Sequence, residues 1–353
     1  FIIAMRQICD WHISQNSFYY KVTKKFNFNS NELNTIEDCA KIPRLFAHFF
    51  KTHVSLSIPF KNVYVHLTSS GTSGQKSQMF FDEWTLKSAQ RMVEFIFRFY
   101  NWVDLNTEVN YLLFSYEPIS KEFNVGTSYT DNFLCSFAAI KNIFYALRYN
   151  GISHDFDYFG TIQTLLKYER ECVPVRIFGF PAFLYFTLQK MQDLQIKPLQ
   201  LHPESLVFLG GGWKTYQDKK IEKRQLYKMI SSMLGIEDIR IRDGFGSVEH
   251  CVPYIECSHH NFHVPVWSRV FILDIKTLNP VGFGQKGFLN FVSPYITSSP
   301  AHNVVMGDIA SLYPGHSCNC GLKTPYFIVH DRAGVSKSTS CAITASELIK
   351  NIS

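Results

Sequence analysis

Thr68-Ser69-Ser70-Gly71-Thr72-Ser73-Gly74-Gln75-Lys76 sets hydroxyls, glycines and one ammonium directly behind the apolar alternation Val63-Tyr64-Val65-His66-Leu67. A strand that ends in such a loop aims backbone N–H groups, hydroxyls and a lysine at a polyphosphate. Glycine at 71 and 74 admits close approach of the backbone and φ > 0. The spacing is neither that of a Walker A loop nor that of a dinucleotide fingerprint. A polar surface loop is the plain alternative, and the density of hydroxyl, glycine and lysine behind a strand favours phosphate binding over it.

Further along lie other groups with chemistry. Gly210-Gly211-Gly212 follows the apolar run Leu206-Val207-Phe208-Leu209, as a tight turn or as a flat backbone surface for a planar ring. Phe245-Gly246-Ser247-Val248-Glu249 brings a carboxylate out of a glycine turn behind a strand-like segment. A carboxylate there is a ligand-binding group or an ordinary surface carboxylate, and its place after a strand-like segment and a glycine turn favours the first. Gly307-Asp308 and Asp331-Arg332 complete the series, the latter equally readable as a surface ion pair.

The cysteines point to a metal. Cys257 with His263, and Cys318 with Cys320, supply three sulfurs and one imidazole from two turn-rich segments, the mix that Zn²⁺ takes in closed tetrahedral sites. Their spacing matches no common finger, and His259 and His260 are substitutes for His263. Reduced, partly buried thiols are the alternative. Cys9, Cys39, Cys135 and Cys172 have no partner at useful spacing and are expected in the core. Cys341, between a Ser/Lys-rich run and a short helix-forming tail over 344–349, packs on its residues alone as a small hydrophobe.

These groups need elements to hold them. Residues 1–60 form an N-terminal helical region, broken near Asn27-Phe28-Asn29-Ser30 and Pro43 and closing at Ser57-Ile58-Pro59. A long helix is expected from about Trp84 to Trp102. Tyr111-Leu112-Leu113-Phe114, Val175-Arg176-Ile177-Phe178-Gly179 and Leu206-Val207-Phe208-Leu209 predict short buried strands alternating with helices, hence an α/β sheet with ligands at the carboxyl ends of its strands. From about 250 onward short strands, turns and Cys/His pairs predict a β-rich subregion. The chain divides into 1–60, a core domain over 61–330, and a short tail over 331–353 carrying Cys341.

Composition bounds the rest. The chain has 353 residues, 46% of them apolar, enough for a sizeable core. Its formal charge of +6 is mild and dispersed, which excludes nucleic acid as the expected partner. No apolar run approaches the roughly 18 residues of a membrane span, and no signal peptide is visible. Nine cysteines, an odd number without a secretion signal, argue against a disulfide framework and for a cytoplasmic protein.

Taken in order, the loop at 68–76, Gly210-Gly211-Gly212, Phe245–Glu249, Gly307-Asp308 and Asp331-Arg332 resemble the adenylate-forming superfamily of acyl-CoA synthetases over residues 60–353. Val248 stands where that motif has Thr. Within the superfamily the chain is most similar to the acyl-protein synthetases of bacterial luminescence, on the stretches Leu67–Ser77, Gly211-Gly212-Trp213-Lys214, Asp243–His250, Thr324–Val329 and Cys341–Leu348.

The resemblance implies the large N-terminal domain of an adenylating enzyme, with mixed sheets and flanking helices. It implies an acid–thiol ligase that turns a long-chain fatty acid and ATP into acyl-AMP and pyrophosphate. Thr68, Ser69, Ser70, Gly71, Thr72, Ser73, Gly74 and Lys76 would cradle the phosphates. Gly210, Gly211, Gly212, Phe245 and Gly246 would line the adenine. Asp308 would hold the ribose hydroxyls, Arg332 the ribose or phosphate, and Glu249 the Mg²⁺. Cys341 becomes the acyl carrier, a thiolate that accepts the acyl group and delivers it to an acyl-CoA reductase, with an acyltransferase subunit as a further partner. A Glu-Cys…His…Cys-x-Cys pattern similar to that of some relatives of phenylacetate-CoA ligases points to a structural metal. After Arg332 the chain is expected to carry only a severely truncated tail instead of the usual lysine-bearing domain. Two other readings remain: a CoA ligase of the phenylacetate-CoA ligase type, or a non-catalytic subunit of an acyl-reductase complex. The fatty-acyl pocket is expected near Phe178-Gly179-Phe180-Pro181-Ala182-Phe183 and Asn132–Phe137, runs that would otherwise be plain core.

Overall fold

The computed structural model describes residues 1–68, 77–119 and 133–332. Numbered along the chain, its strands begin with β1 Leu45–Phe46, β2 Val65–Thr68, β3 Gln78–Phe81, β4 Asp104–Tyr116, β5 Ala138–Tyr149, β6 His154–Phe156, β7 Val175–Gly179 and β8 Leu206–Gly210. They continue with β9 Ile241–Phe245, β10 Tyr254–Ile255, β11 Phe262–His263, β12 Arg269–Leu273, β13 Lys286–Val292, β14 Asn303–Tyr313 and β15 Tyr326–Arg332. The chain folds as two compact units, one of residues 1–92 with 246–353 and one of residues 93–245.

The unit 93–245 is the α/β part. Its strands run in the order β9-β8-β7-β4-β5-β6, parallel from β9 to β5, with β6 turned back antiparallel on β5. All five residues of β7 are buried, as expected of a central parallel strand covered on both faces. Helices Tyr158–Glu171, Pro181–Asp193 and Lys223–Leu234 return the chain between strands. Their apolar stripes close a core with Leu112, Phe114, Leu165, Ile177, Leu184, Val207 and Ile230.

Helix Glu83–Phe99 and strands β7 and β8 fall where the hydrophobic patterns put them. The strand around Tyr111 is longer than the expected four residues and begins at Asp104. Apart from an exposed Leu105 its first half is polar and solvent-facing, so backbone pairing with β5 carries it without an alternating apolar signal. Gly179 ends β7 at φ +118°, and a Cβ there would stand 2.4 Å from the carbonyl oxygen of Phe114. Only glycine lets these backbones close.

The other unit is β-rich. Its main sheet has the order β11-β15-β14-β13-β12, antiparallel throughout, and β1 adds to β14 in parallel at Leu45↔Val304 and Phe46↔Val305. Strands β2 and β3 form a separate two-stranded hairpin. Helices Ile2–Gln15 and Ser17–Lys25 lead the unit, and Met5, Ile8, Cys9, Leu33, Cys39 and Ile42 cluster with Val292 of β13. Tyr19 and two histidines stitch this layer together. The Tyr19 hydroxyl donates to Pro43 O at 2.9 Å and accepts from His302 Nε2 at 2.9 Å. His12 stacks on His302 with centroids 4.7 Å apart, donates from Nε2 to Ile296 O at 2.9 Å, and accepts at Nδ1 from Ser57 at 2.6 Å. Among the described residues no helix is long and apolar enough to cross a membrane.

Candidate active site and metal centre

In the β-rich unit, Asp308 sits in β14 directly opposite Arg332 of β15. The antiparallel register brings their side chains together, Arg332 Nε lying 3.7 Å from Asp308 Oδ1. Arg332 therefore pairs across the sheet. Burial raises the Asp308 carboxyl above its ordinary range, the Arg332 guanidinium opposes that rise, and the negative Glu249 adds to it.

Glu249 is nearly buried on a turn closed by His250 N to Ser247 O at 3.1 Å and Cys251 N to Ser247 O at 2.9 Å. The Ser247 hydroxyl donates to Glu249 Oε2 and accepts from Glu249 N at 3.2 Å. The next side chain, His250, is buried in a stack with Phe291 and Tyr254. Its Nε2 donates to the Tyr254 hydroxyl at 2.9 Å, and that hydroxyl donates to Ser268 at 3.0 Å. Neither Ser247 nor His250 stands out in sequence as a supporting residue; their place on either side of Glu249 in the motif was the available signal.

In the α/β unit, Gly210 closes β8 and pairs with Gly244 of β9, and Phe245 ends β9. Both lie at the carboxyl ends of adjacent parallel strands, the usual ligand edge of such a sheet. Gly211 and Gly212 adopt φ +73° and +68°, so the run is a true glycine turn. Gly246 follows on the chain, with nothing within 4 Å of a Cβ built there. Phe178, Phe180, Ala182 and Phe183, proposed for an acyl pocket, are buried in the core of this unit.

Thr68 closes β2, paired with Gln78 of β3. The phosphate-loop residues Ser69, Ser70, Gly71, Thr72, Ser73, Gly74 and Lys76 lie outside the described residues, as do Asn132 and the carrier candidate Cys341.

The four metal candidates do converge. One ligand atom from each of Cys257, His263, Cys318 and Cys320 falls within 4.8 Å of the others. Cys257 Sγ lies 3.7 Å from Cys318 Sγ, and Cys320 Sγ lies 3.2 Å from His263 Nε2. A tetrahedron with Zn–S near 2.3 Å has S···S edges of about 3.8 Å. His263 Nδ1 donates to Thr324 O at 2.7 Å, which leaves the Nε2 lone pair facing the sulfurs, as a metal-ligating imidazole requires. Burial lowers its proton affinity, against the opposing hydrogen bond to Thr324 O, and so favours the neutral form that ligates metals. N–H donors reach each thiol: His259 N to Cys257 at 3.4 Å, Asn261 Nδ2 to Cys318 at 3.3 Å, and Leu322 N to Cys320 at 3.5 Å. Burial alone would raise Cys318, and the Asn261 side chain, the Cys320 backbone N–H and the Cys320 and Cys257 thiols more than offset it, so this thiol is lowered. The donor set fits a tetrahedral zinc. His260 instead approaches Glu256 at 3.5 Å, and His259 contacts Ser258, so neither replaces His263. Asn261 and the Thr324 carbonyl went unread in the sequence, because only the fold brings them to the cluster.

Of the cysteines expected in the core, Cys9, Cys39 and Cys135 are buried, but Cys172 is exposed. It caps helix Tyr158–Glu171 in the left-handed conformation at φ +51°, one residue beyond the packed face.

A long-chain-fatty-acid–luciferin-component ligase of Aliivibrio fischeri is 25% identical over 308 residues, covering 86% of this chain and 77% of its own. The ligase of the same name from Vibrio harveyi is 23% identical over 292 residues, covering 82% and 73%. Among solved structures, an open conformation of 2-hydroxyisobutyryl-CoA ligase in complex with 2-HIB-AMP and CoA superposes with a TM-score of 0.66 at 12% identity, covering 94% of this chain and 74% of its own. An ATP-bound RpMatB-BxBclM chimera gives 0.50 at 13% identity, covering 80% and 50%. The fold is that of the N-terminal part of adenylate-forming ligases. The family model described as acyl-protein synthetase, LuxE, matches residues 5–350, and the chain belongs to that family.

Proposed function

We propose that this chain activates a long-chain fatty acid with ATP, holds the acyl group as a thioester on Cys341, and passes it to an acyl-CoA reductase for aldehyde formation. The observation that carries the reading is the pairing of Asp308 with Arg332 across β14 and β15, in the same unit as the nearly buried Glu249, in a member of the acyl-protein synthetase family. One buried carboxylate suits ribose hydroxyls and the other a metal-bound pyrophosphate, with a guanidinium at hand for charge.

In the first step a carboxylate oxygen of the fatty acid attacks the α-phosphorus of ATP, and pyrophosphate leaves. Positioning and charge neutralisation are the protein's whole task there. Asp308 would accept the ribose hydroxyls, Arg332 would meet the ribose or phosphate, and Gly210–Gly212 with Phe245 and Gly246 would receive the adenine. Thr68 to Gly74 and Lys76 would bind the departing phosphates. Glu249 would hold Mg²⁺, which supplies charge neutralisation to the phosphate oxygens when bound. In the second step the Cys341 thiolate attacks the acyl carbonyl and AMP leaves. The reductase's own cysteine then takes the acyl group by thioester exchange, regenerating the Cys341 thiol.

On this reading residues 61–330 are the catalytic core, 1–60 its N-terminal helical region, and 331–353 the carrier tail. Zinc at Cys257, His263, Cys318 and Cys320 would be structural, since all four protein ligands close the tetrahedron and leave no position for a substrate. The eight described cysteines are all free, which fits a reducing cytoplasm.

The test is incubation of purified protein with ATP, Mg²⁺ and radiolabelled tetradecanoic acid without CoA, comparing wild type with Cys341→Ala. Hydroxylamine-sensitive label on wild type alone is expected. Label on both would move the acceptor to another thiol. Label on neither with fatty-acid-dependent pyrophosphate exchange would leave an adenylating enzyme with another acceptor, as in a CoA ligase. Neither signal would favour a non-catalytic subunit.

A further inference from the structure

The motif that delivers Glu249 has an apolar side chain, Val248, where a hydroxyl would be expected. The hydroxyl next to it in the chain belongs to Ser247, and the fold places it against Glu249 on two sides. Ser247 Oγ accepts from the Glu249 backbone N–H and donates to Glu249 Oε2. Among the described residues it is the hydrogen-bond donor on that carboxylate. A nearly buried carboxylate with a single donor keeps its remaining lone pairs for a cation.

The turn itself is held from the other side. His250, with 1% of its surface exposed, lies with ring centroid 4.5 Å from Phe291 at an interplanar angle of 11°. Its Nε2 is fixed by Tyr254, and Tyr254 by Ser268. The chain at 250 is therefore pinned to strand β13 through the Phe291 ring. Ser247 and His250 bracket Glu249, one locking the carboxylate and the other the backbone that carries it.

We propose that Ser247 is the positioning residue for Glu249, holding its carboxylate in the rotamer that receives the divalent cation. This rests on the assignment of Glu249 as the magnesium ligand. Removing a residue that orients a metal ligand weakens metal binding by about 10–100-fold in other sites. The lower end is expected here, because the turn stays anchored at His250.

The experiment uses the full chain as wild type, Ser247→Ala, Ser247→Thr and the double variant Ser247→Ala/Val248→Thr. Binding of Mn²⁺ is read by electron paramagnetic resonance in the presence of α,β-methylene-ATP, with thermal midpoints recorded in parallel. Ser247→Ala is expected to raise the Mn²⁺ Kd about tenfold at an unchanged melting temperature. Ser247→Thr should restore it, since Thr keeps the hydroxyl. The double variant should stay as weak as Ser247→Ala, since only the hydroxyl at 247 reaches the carboxylate. An unchanged Kd in Ser247→Ala, or a Kd that rises only with a fall in melting temperature and is not rescued by Thr, would overturn the proposal. Failure of wild type to bind Mn²⁺ would overturn it as well. Failure of pyrophosphate exchange in a wild type that does bind Mn²⁺ would instead overturn the activity and leave the role of Ser247 standing.

Discussion

Asp308 and Arg332 face each other across β14 and β15, yet the pair is lopsided: the Asp308 side chain is 13% exposed and that of Arg332 is 67% exposed. The carboxylate bears the desolvation while the guanidinium keeps most of its water. An ion pair this wet on one side offsets little of the cost of burying the other. Asp308 is therefore a poor stabiliser of the fold and a good candidate for a group kept for a ligand.

Asp308→Asn is expected to separate those two roles. The carboxyl is raised in the folded protein, so the folded state holds its proton more tightly than the unfolded one. The sign follows: its contribution is full below the ordinary carboxylate pKa and is lost as pH rises through the raised folded value. At pH 7–8 the amide variant should melt no lower than wild type, and its melting temperature should vary less between pH 5 and pH 8. The apparent KM for ATP in pyrophosphate exchange should rise at least tenfold, about 1.4 kcal/mol of lost binding. A large fall in melting temperature with an unchanged KM would make Asp308 structural.

The Cys/His cluster should hold about one zinc per chain, measured by plasma mass spectrometry on protein purified without chelator. Cys257→Ser or Cys318→Ser should remove it. The cluster ties the Cys257–His263 turn to the segment around Cys318 and Cys320, so its loss is expected to cost about 3 kcal/mol or more. In a unit of this size that is about 6–12 °C of melting temperature. Zinc loss with an unmoved melting temperature would sink the structural role.

The stacked pair His12 and His302 predicts acid sensitivity. Burial pushes His12 down to about 4, and burial together with His12 pushes His302 well below its ordinary value. A depressed imidazole contributes stability that is full above its unfolded pKa of about 6.5 and is lost as pH falls toward the folded value. For His12 the shift is worth about 3 kcal/mol. Urea midpoints should drop steeply from pH 6.5 to pH 4, and less steeply in His12→Gln. Parallel curves for the two proteins would remove His12 from the account.

Much of the site was legible in residues close together in the chain. The glycine turn at 210–212 and the convergence of Cys257, His263, Cys318 and Cys320 each declare themselves by residue type and spacing, because a tight turn and a set of thiols with an imidazole each restrict the side chains they accept. Strand β7 was equally plain, since a central parallel strand must be apolar on both faces. What depended on distant segments was silent. That Arg332 answers Asp308 across the sheet follows from the register of β14 and β15. That Thr324 orients His263, and that Phe291 holds His250 beside Glu249, follows from how strands far apart in sequence pack. The exposure of Cys172 followed from a helix ending in the left-handed conformation. Local chemistry is written in residue identity, whereas partners across a sheet are chosen by hydrogen-bond register and burial, which exist only once the chain has closed on itself.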